Sequence, residues 1–197
     1  MELYEAIIKR RTRYALSGDI TVEQNRLIEI VEYAVKNVPS AFNMQDTRAL
    51  IVFGDHHRKV WDITKNILKG IVPADKFEAT DKKIESFKAG NGTVLYFSDT
   101  DTVKALQEKF PSYKDNFTIW AQQGMGMLQY MVWTALASEG IGASLQHYNP
   151  LIDEDVKKGF NLPAGWVLAA QMPFGVATAD PDDKTFLPIE ERVKIFK

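Results

Sequence analysis

A cluster of cations lies close to the N-terminus. Residues 9–13 read Lys-Arg-Arg-Thr-Arg, so four positive charges and one hydroxyl fall within five positions. Arginine forks match the oxygens of a phosphate group, and a threonine hydroxyl can donate to the same group. Such a cluster can hold a small anion, bind nucleic acid as an arm, or remain a solvated surface. The apolar pair Ile7 and Ile8 precedes it and favours the anion site, because we expect this pair to anchor the cluster to the core.

Polar side chains gather in the segment that follows Pro39. Ser40, Asn43 and Gln45 fall within six positions, directly ahead of a predicted strand. Neutral donors and acceptors of this kind suit a heteroaromatic ring that carries carbonyls and ring nitrogens. The alternative is a loop whose side chains hydrogen-bond to their own backbone. The residues alone leave both interpretations open.

A third candidate segment spans residues 140–150. It begins with two glycines and continues to Gln146 and His147. Glycine permits a backbone to approach a ligand closely. The histidines of the chain show no metal-ligand spacing, so we predict no metal site.

The overall composition excludes several classes of protein. Lys and Arg number 24 and Asp and Glu number 26, whereas nucleic-acid-binding proteins usually carry a basic excess. The chain has no cysteine, which excludes thiol nucleophiles, disulfides and Cys-based metal or iron–sulfur sites. We find no apolar run long enough to span a bilayer and no apolar core of a signal peptide. We therefore expect a cytoplasmic protein, with residues 1–197 forming one domain.

Helical and strand patterns alternate along the chain and predict the elements that must position these segments. Helices are predicted at 2–10, 22–37, 56–69, 74–88, 101–109 and 115–139. Buried strands are predicted at 49–54, 93–97 and 166–175. Thr21 and Gln24 form a capping-box pattern at the start of the second helix. This order predicts an α+β or α/β fold with helices covering one central sheet.

The predicted helix 115–139 is apolar on nearly all sides. A helix of this character is buried on all sides, and a chain of this size has difficulty burying one so long by itself. We therefore predict a homodimer with this helix at or near the interface. The last segment, about 176–197, has no strong pattern and is predicted to be an arm that packs on another surface, such as the second subunit.

Three motifs, taken in order, resemble those of the FMN-dependent nitroreductase family. The matches are Arg10, Arg11 and Thr12 to R-R-[ST]; Pro39, Ser40, Asn43 and Gln45 to P-S-x-x-N-x-Q; and Gly140, Ile141 and Gly142 to G-[LI]-G. The ordered set extends over nearly the whole chain. The sequences at 145–150 and 186–196 are similar to the branch that contains the fungal fatty-acid-repression-mutant protein and its bacterial relatives.

The resemblance implies α+β subunits with a central, mostly antiparallel sheet, joined in an intertwined homodimer with two FMN sites at its interface. It also implies which residues hold the flavin. They are Arg10, Arg11, Thr12 and Lys184 at the phosphate; Ser40, Asn43 and Gln45 from the other subunit; and Leu145, Gln146 and His147 beside the ring, with a backbone N–H near N5.

The activity that the resemblance implies is NAD(P)H-dependent reduction of a nitroaromatic or quinone-type acceptor, by ping-pong two-electron transfer on FMN. No catalytic acid is required, and His147 is a candidate only through its expected place near the ring. The alternative is a flavin-binding redox sensor or regulator with little turnover.

This chain departs from the family pattern at three positions. Many relatives carry a basic residue at Tyr14, a proline at Asp46 and an arginine at Phe186. Two cations that could contact phosphate are therefore missing. We expect FMN to be held more weakly or by other groups.

Overall fold

The computed structural model describes residues 2–197 and contains a five-stranded sheet. The strands are β1 (Leu16–Ser17), β2 (Thr47–Phe53), β3 (Gly92–Asp99), β4 (Gly142–Ala143) and β5 (Trp166–Ala177). Their order is β1-β5-β3-β2, and β4 pairs with β5. Every ladder is antiparallel. The predicted α+β fold with a central antiparallel sheet is thus confirmed.

Residues 2–197 also form eight α-helices. They are α1 (Leu3–Lys9), α2 (Gln24–Asn37), α3 (Gly54–Lys69), α4 (Phe77–Lys88), α5 (Thr100–Lys109), α6 (Lys114–Ser138), α7 (Asp153–Phe160) and α8 (Ile189–Arg192). Short 3₁₀ turns lie at Ala41–Asn43, Ala74–Lys76 and Pro111–Tyr113. The long helix predicted at 115–139 therefore forms as α6, and it begins and ends one residue earlier than predicted.

The central strand β3 is buried on both faces. Val94 and Tyr96 pack into the cluster formed with α2 and α6, whereas Leu95 and Phe97 pack into the cluster formed with α3 and α7. Successive side chains of a strand point to opposite faces, so a continuous apolar run is what a strand covered on both sides requires. The core therefore lies above and below β3 and β5.

Some local predictions were wrong. The capping box at Thr21 does not form, because α2 begins at Gln24 with Glu23 as its N-cap and no side chain caps it. The strands β1 and β4 and the helix α7 were not predicted. Each of these strands has only two residues, and α7 is mainly charged and has one fully buried residue, Val156.

Apolar side chains remain exposed on three parts of the protomer. On α1, Ile8 is 75% exposed, so the expectation that Ile7 and Ile8 anchor the cation cluster was wrong for Ile8; the buried residue of this helix is Ala6. The exposed apolar residues of α6 and the C-terminal segment are Ile119, Met127, Tyr130, Phe186, Leu187, Ile189, Val193, Ile195 and Phe196. The protomer alone therefore does not bury α6 on all sides.

We expect Gly175→Ala to destabilise the protein because β5 has no room for a side chain at this position. A Cβ there would collide with the carbonyl oxygen of Ser17 and lie 3.2 Å from the backbone nitrogen of Asn91. Overpacking against backbone costs about 1–3 kcal/mol in the free energy of unfolding. Denaturant unfolding measures this change. The control is Gly18→Ala, whose added Cβ would come no closer than 3.5 Å to another atom; equal stability of the two variants would contradict the prediction.

Candidate functional site

The cation cluster is held against the β4 strand. The chain leaves α1 at Lys9, and Thr12 forms a parallel bridge with Ala143 of β4. The backbone N–H of Arg13 donates to the carbonyl of Ala143 at 2.9 Å. The first and third candidate segments, separated by about 130 positions in the sequence, are thus joined by backbone pairing.

Two glycines shape the turn that carries β4. Gly140 has φ +79, which residues with a side chain rarely adopt. At Gly142 a Cβ would lie 2.9 Å from the Cβ of Ala177 and 3.2 Å from that of Arg13. Glycine at this second position therefore lets the cation cluster pack directly on the strand.

Arg10 is oriented by aromatic rings of α6. The carbon at the centre of its guanidinium lies 4.7 Å from the ring centre of Trp133 and 5.7 Å from that of Tyr130. Its Nε is buried and has no hydrogen-bond partner among residues 2–197. A buried donor without a partner costs free energy, so this arginine is a candidate for contact with an anion that the protomer does not itself supply.

Arg11 and Arg13 contact the segment that follows β5. Arg11 donates to the carbonyl of Asp182, and Arg13 donates to the carbonyl of Ala179 at 2.9 Å. Arg13 also lies 3.5 Å from the carboxylate of Asp180. Both arginines line a cavity of about 420 Å³, together with Ile8, Lys9, Trp133, Ala137, Gly140, Ile141, Gly142, Ala177 and Pro181. The cluster is therefore partly covered by the C-terminal segment rather than freely solvated.

Lys184, the fourth residue expected at a phosphate, lies outside that cavity lining. Its ammonium nitrogen is 5.0 Å from the ring centre of Phe186, and the side chain belongs to the exposed C-terminal segment. The protomer brings the backbone of this segment to the arginines, but it does not bring Lys184 into the same cavity.

The loop that follows Pro39 has an unusual backbone. Phe42, Asn43 and Gln45 all have positive φ, at 56°, 51° and 52°. Ser40 Oγ accepts from the N–H of Gln45 at 2.9 Å, and Gln45 Nε2 donates to the carbonyl of Asn43 at 3.4 Å, so two of the polar side chains hydrogen-bond to their own loop. Backbone strain of this kind is concentrated at functional sites. The loop is thus both self-bonded and held in a rare conformation.

The two groups of candidate residues do not share a cavity in the protomer. Gln45 lines a cavity of about 490 Å³ between α2 and β2, and none of Ser40, Asn43 or Gln45 lines the cavity at the arginines. The cavity at the arginines is therefore separate from the cavity at Gln45.

Phe42 stands at the centre of an aromatic cluster that the sequence patterns did not predict. Its ring centre lies 5.0 Å from that of Phe110, 5.3 Å from Phe117, 5.7 Å from Tyr113 and 5.8 Å from Trp120. Phe42 remains half exposed. The cluster covers the N-terminal end of α6 and supports the loop, although no spacing in the sequence indicates this contact between distant segments.

The segment 145–147 presents mainly its backbone. Gln146 is buried, its N–H donates to the carbonyl of Gln171 at 2.7 Å, and its side chain donates to Ser144. His147 is exposed, and Leu145 packs at the edge of the main core. The N–H groups of Leu145 and His147 have no acceptor among residues 2–197. A backbone N–H that this segment offers to a ligand is therefore that of Leu145 or that of His147. The Gln146 side chain already donates to Ser144.

A buried histidine lies outside the candidate site. His57 is 1% exposed; Nε2 lies 3.1 Å from the carbonyl of Lys88 and Nδ1 lies 2.8 Å from Thr93 Oγ1. Since a carbonyl can only accept, Nε2 carries the proton and Thr93 donates to Nδ1. Thr93 in turn accepts from the indole N–H of Trp61 at 3.0 Å. Burial lowers the pKa of His57 to about 4, so the imidazole is neutral at pH 7 and its role is structural.

Two further features concern metals and membranes. Within the described residues 2–197, no group of three or more His, Asp or Glu side chains is placed to hold a metal ion. None of the helices in the same part of the chain combines the length and apolar character needed to cross a membrane.

The residues at the cation cluster fit the phosphate of FMN. The protomer supplies Arg10 with an unpartnered, buried Nε, and it supplies Lys9, Arg11 and Arg13 around one cavity. Charge-assisted hydrogen bonds from arginine to phosphate are among the stronger polar contacts in proteins. This fit depends on the Nε of Arg10, because a buried donor costs free energy unless an acceptor reaches it.

The sequence and the fold are similar to those of other proteins. The family model described as the Nitroreductase family matches residues 7–176. HBN1 of Saccharomyces cerevisiae is 36% identical over 197 residues, which cover 98% of this chain and 95% of that protein. The nitroreductase FRM2 of the same yeast is 35% identical over 185 residues, which cover 92% of this chain and 91% of that protein.

Solved structures match over the whole chain. Nitroreductase CinD from Lactococcus lactis, in complex with chloramphenicol, is 42% identical with a TM-score of 0.91, and all of both chains is covered. The complex of CinD with 4-nitrophenol gives 43% identity, the same TM-score and the same coverage. A structure from Desulfovibrio desulfuricans in complex with FMN is 16% identical with a TM-score of 0.72, covers 100% of this chain and 99% of that one, and shares the fold.

Proposed function

Because this chain belongs to the nitroreductase family and is an oxidoreductase of that family, we propose that it binds FMN and uses electrons from NADH or NADPH to reduce small nitroaromatic or quinone-type acceptors. Bound FMN would supply the two-electron chemistry, taking electrons from the nicotinamide and passing them to the acceptor in a ping-pong sequence. The residues of the chain bind and orient the participants, and we assign none of them as a general acid in this reaction.

The observation that carries the proposal is the environment of Arg10. Its guanidinium lies over the ring of Trp133, and its Nε has no hydrogen-bond partner within residues 2–197. A phosphate placed at this arginine would satisfy the orphaned donor. Arg10 is not itself part of the lining of the cavity at Arg11 and Arg13, but it stacks on Trp133, which is. We assign phosphate binding to Arg10, Arg11 and the hydroxyl of Thr12, with Lys184 reaching the site only after a change in the C-terminal segment.

The flavin ring is proposed to lie between two subunits. Ser40, Asn43 and Gln45 of one copy and the 145–147 segment of the other would contact it. In the protomer, Gln45 lines a cavity that is separate from the one at Arg11 and Arg13. The exposed apolar residues of α6 and of the C-terminal segment support a homodimer, since a second copy of the chain could cover them. The arm 176–197 would then pack on the partner, although its first two residues belong to β5.

We infer the class of electron acceptor from the relatives and from the loop that follows Pro39. CinD has been solved with chloramphenicol and with 4-nitrophenol, and we extend nitroaromatic acceptors to this chain on that basis. The aromatic cluster at Phe42 is consistent with planar acceptors because aromatic rings stack on one another. We place the reaction in the cytoplasm, where NADH and NADPH are supplied.

A visible absorption spectrum of the purified protein tests the proposal. We expect a bound-flavin spectrum that bleaches when NADPH or NADH is added without oxygen and returns when a nitroaromatic or a quinone is added. Parallel lines in double-reciprocal plots would support the ping-pong order. A protein that remains colourless after FMN is added would contradict FMN binding. A flavin that bleaches but turns over slowly with every acceptor would favour the regulatory alternative.

A further inference from the structure

The chain between β5 and α8 carries charges opposite to those of the cation cluster. Residues 180–184 read Asp-Pro-Asp-Asp-Lys, so three carboxylates are followed directly by one ammonium group. Pro181 lines the same cavity as Arg11 and Arg13. Residues 179–184, which we call the acidic segment, therefore lie against two cations of the cluster.

Two arginines anchor the acidic segment. Arg11 donates to the backbone carbonyl of Asp182, and Arg13 donates to that of Ala179 at 2.9 Å. Arg13 also lies 3.5 Å from the carboxylate of Asp180. Among residues 2–197, these contacts are the hydrogen bonds between the acidic segment and the rest of the chain. The position of the segment therefore depends on guanidinium groups that a phosphate would also contact.

These anchoring contacts are weak enough to be exchanged. The carboxylate of Asp180 is fully exposed, and exposed ion pairs contribute little because water competes for both charges. A hydrogen bond from arginine to a neutral carbonyl is weaker than one to a charged phosphate oxygen. The residue before the segment stays fixed, because the N–H of Thr178 donates to the carbonyl of Ala15 at 3.0 Å. The acidic segment can therefore leave the arginines without disturbing β5.

Lys184 stands two residues beyond the anchored carbonyl of Asp182. Its ammonium nitrogen lies 5.0 Å from the ring centre of Phe186 and outside the cavity lining. A phosphate at the cation cluster would repel the three carboxylates of the acidic segment and attract Lys184, because like charges repel and opposite charges attract. Electrostatics therefore favours one position of the segment without a phosphate and another with it.

We propose that the acidic segment is a strap that competes with phosphate for the arginines and then exchanges its charge at the site. Without a phosphate, Arg11 and Arg13 hold the strap against the cavity. With one, Arg11 turns an N–H from the carbonyl of Asp182 to a phosphate oxygen, Asp180 leaves Arg13, and Lys184 moves in. The inference rests on the proposed function and deepens it, because it assigns the regulation of FMN affinity to this strap.

A weaker strap should give tighter binding of FMN. The apparent affinity of a ligand falls when part of the protein must first leave a competing conformation. Asp180→Asn keeps the shape of the side chain and removes the charge that faces Arg13, so FMN should bind about two- to fivefold more tightly. Riboflavin, which has no phosphate, should bind as it does to the wild type. Fluorescence titration of the apoprotein measures both affinities.

Two controls separate the strap from a general effect of charge. Glu190→Gln removes one exposed carboxylate of the same C-terminal region, in α8 and away from the arginines, and it should leave FMN affinity unchanged. In an Arg13→Ala background, Asp180→Asn should also have no effect, because the contact that it weakens is already absent. Simple repulsion between Asp180 and the phosphate would persist in that background, so tightening there would overturn the strap.

A spin label reports the position of the strap without any flavin. The chain has no cysteine, so Thr185→Cys, at an exposed position beside Lys184, can carry a single nitroxide. The probe is inorganic phosphate, compared with sodium chloride at equal ionic strength. We expect phosphate to change the electron paramagnetic resonance spectrum of the labelled chain. In the labelled Lys184→Gln variant, phosphate should make the nitroxide more mobile, because the strap is released and no cation holds it again.

The outcomes distinguish failure of the strap from failure of the proposed function. Spectra that are the same in phosphate and in chloride, for both labelled proteins, would overturn the strap even if FMN binds. Unchanged FMN affinity in Asp180→Asn would overturn it as well. A protein that binds no FMN would contradict the proposed function, whereas a strap that phosphate still releases would remain a phosphate-sensitive segment of this chain.

Discussion

The Arg10→Ala variant is expected to bind FMN about ten- to hundred-fold more weakly than the wild type. Arg10 is stacked on Trp133, and its buried Nε has no partner in the described part of the chain. The side chain is therefore already oriented and loses little freedom when a phosphate arrives. A charge-assisted hydrogen bond contributes about 1.5–3 kcal/mol, which corresponds to that range of dissociation constants. Fluorescence titration of the apoprotein with FMN measures the effect.

Riboflavin and Arg13 provide the controls for this prediction. Riboflavin lacks the phosphate, so its affinity should be nearly the same in Arg10→Ala and in the wild type. Arg13→Ala removes a cation of the same cluster that donates to Ala179 and lies beside Asp180, and its FMN affinity should fall by less. If Arg10→Ala weakened the affinity for FMN and for riboflavin equally, this arginine would contact the flavin ring or support the fold. The argument for a phosphate site would then fail.

Acid is expected to destabilise the protein through His57. The pKa of this histidine is lowered from 6.5 to about 4, mainly by burial. Between these two pKa values, the unfolded chain therefore binds a proton at His57 and the folded protein does not. The stability that this group contributes is fully present above pH 6.5 and is lost as pH falls from 6.5 to about 4. The difference between the two pKa values corresponds to a loss of about 3 kcal/mol.

Urea unfolding at a series of pH values measures this loss. His57→Gln removes the titrating group, so the difference in stability between the wild type and this variant should shrink as pH falls from 6.5 to about 4. His56→Gln is the matched control, because His56 is the adjacent residue on the same helix and is exposed. A constant difference between His57→Gln and the wild type over this pH range would show that His57 titrates normally in the folded protein.

Periodicity located the long elements because burial determines their composition. β3 could be predicted because residues 94–97 are apolar and fill both faces of a covered strand. The start of β2 could not, because Thr47 and Arg48 are polar and join the strand through pairing with Ser98 and Phe97. Strand pairing depends on two distant segments, so the local sequence pattern of one segment cannot predict it.

The sequence indicated the separate segments of the candidate site, but not the contacts that bring them together. Arg10, Arg11 and Thr12 stand out as a cluster of charge, but nothing local indicates that Thr12 pairs with Ala143. The rings that orient Arg10 appeared only as two apolar positions of α6. Asp46 was visible as a departure from the family pattern, yet its complete burial depends on how β2 and β3 meet. Tertiary contacts thus decide which polar residues are accessible.

Two groups of candidate residues lie at different cavities of the protomer, and a flavin site between two copies, as proposed above, would link cofactor content to protein concentration. If FMN contacts two copies of the chain, association of the copies and binding of the flavin stabilise one another to the same extent. Dilution then releases the cofactor as well as the partner, and added FMN holds the pair together at concentrations where the apoprotein dissociates. The coloured, active fraction of a preparation would follow a mass-action curve in protein as well as in flavin.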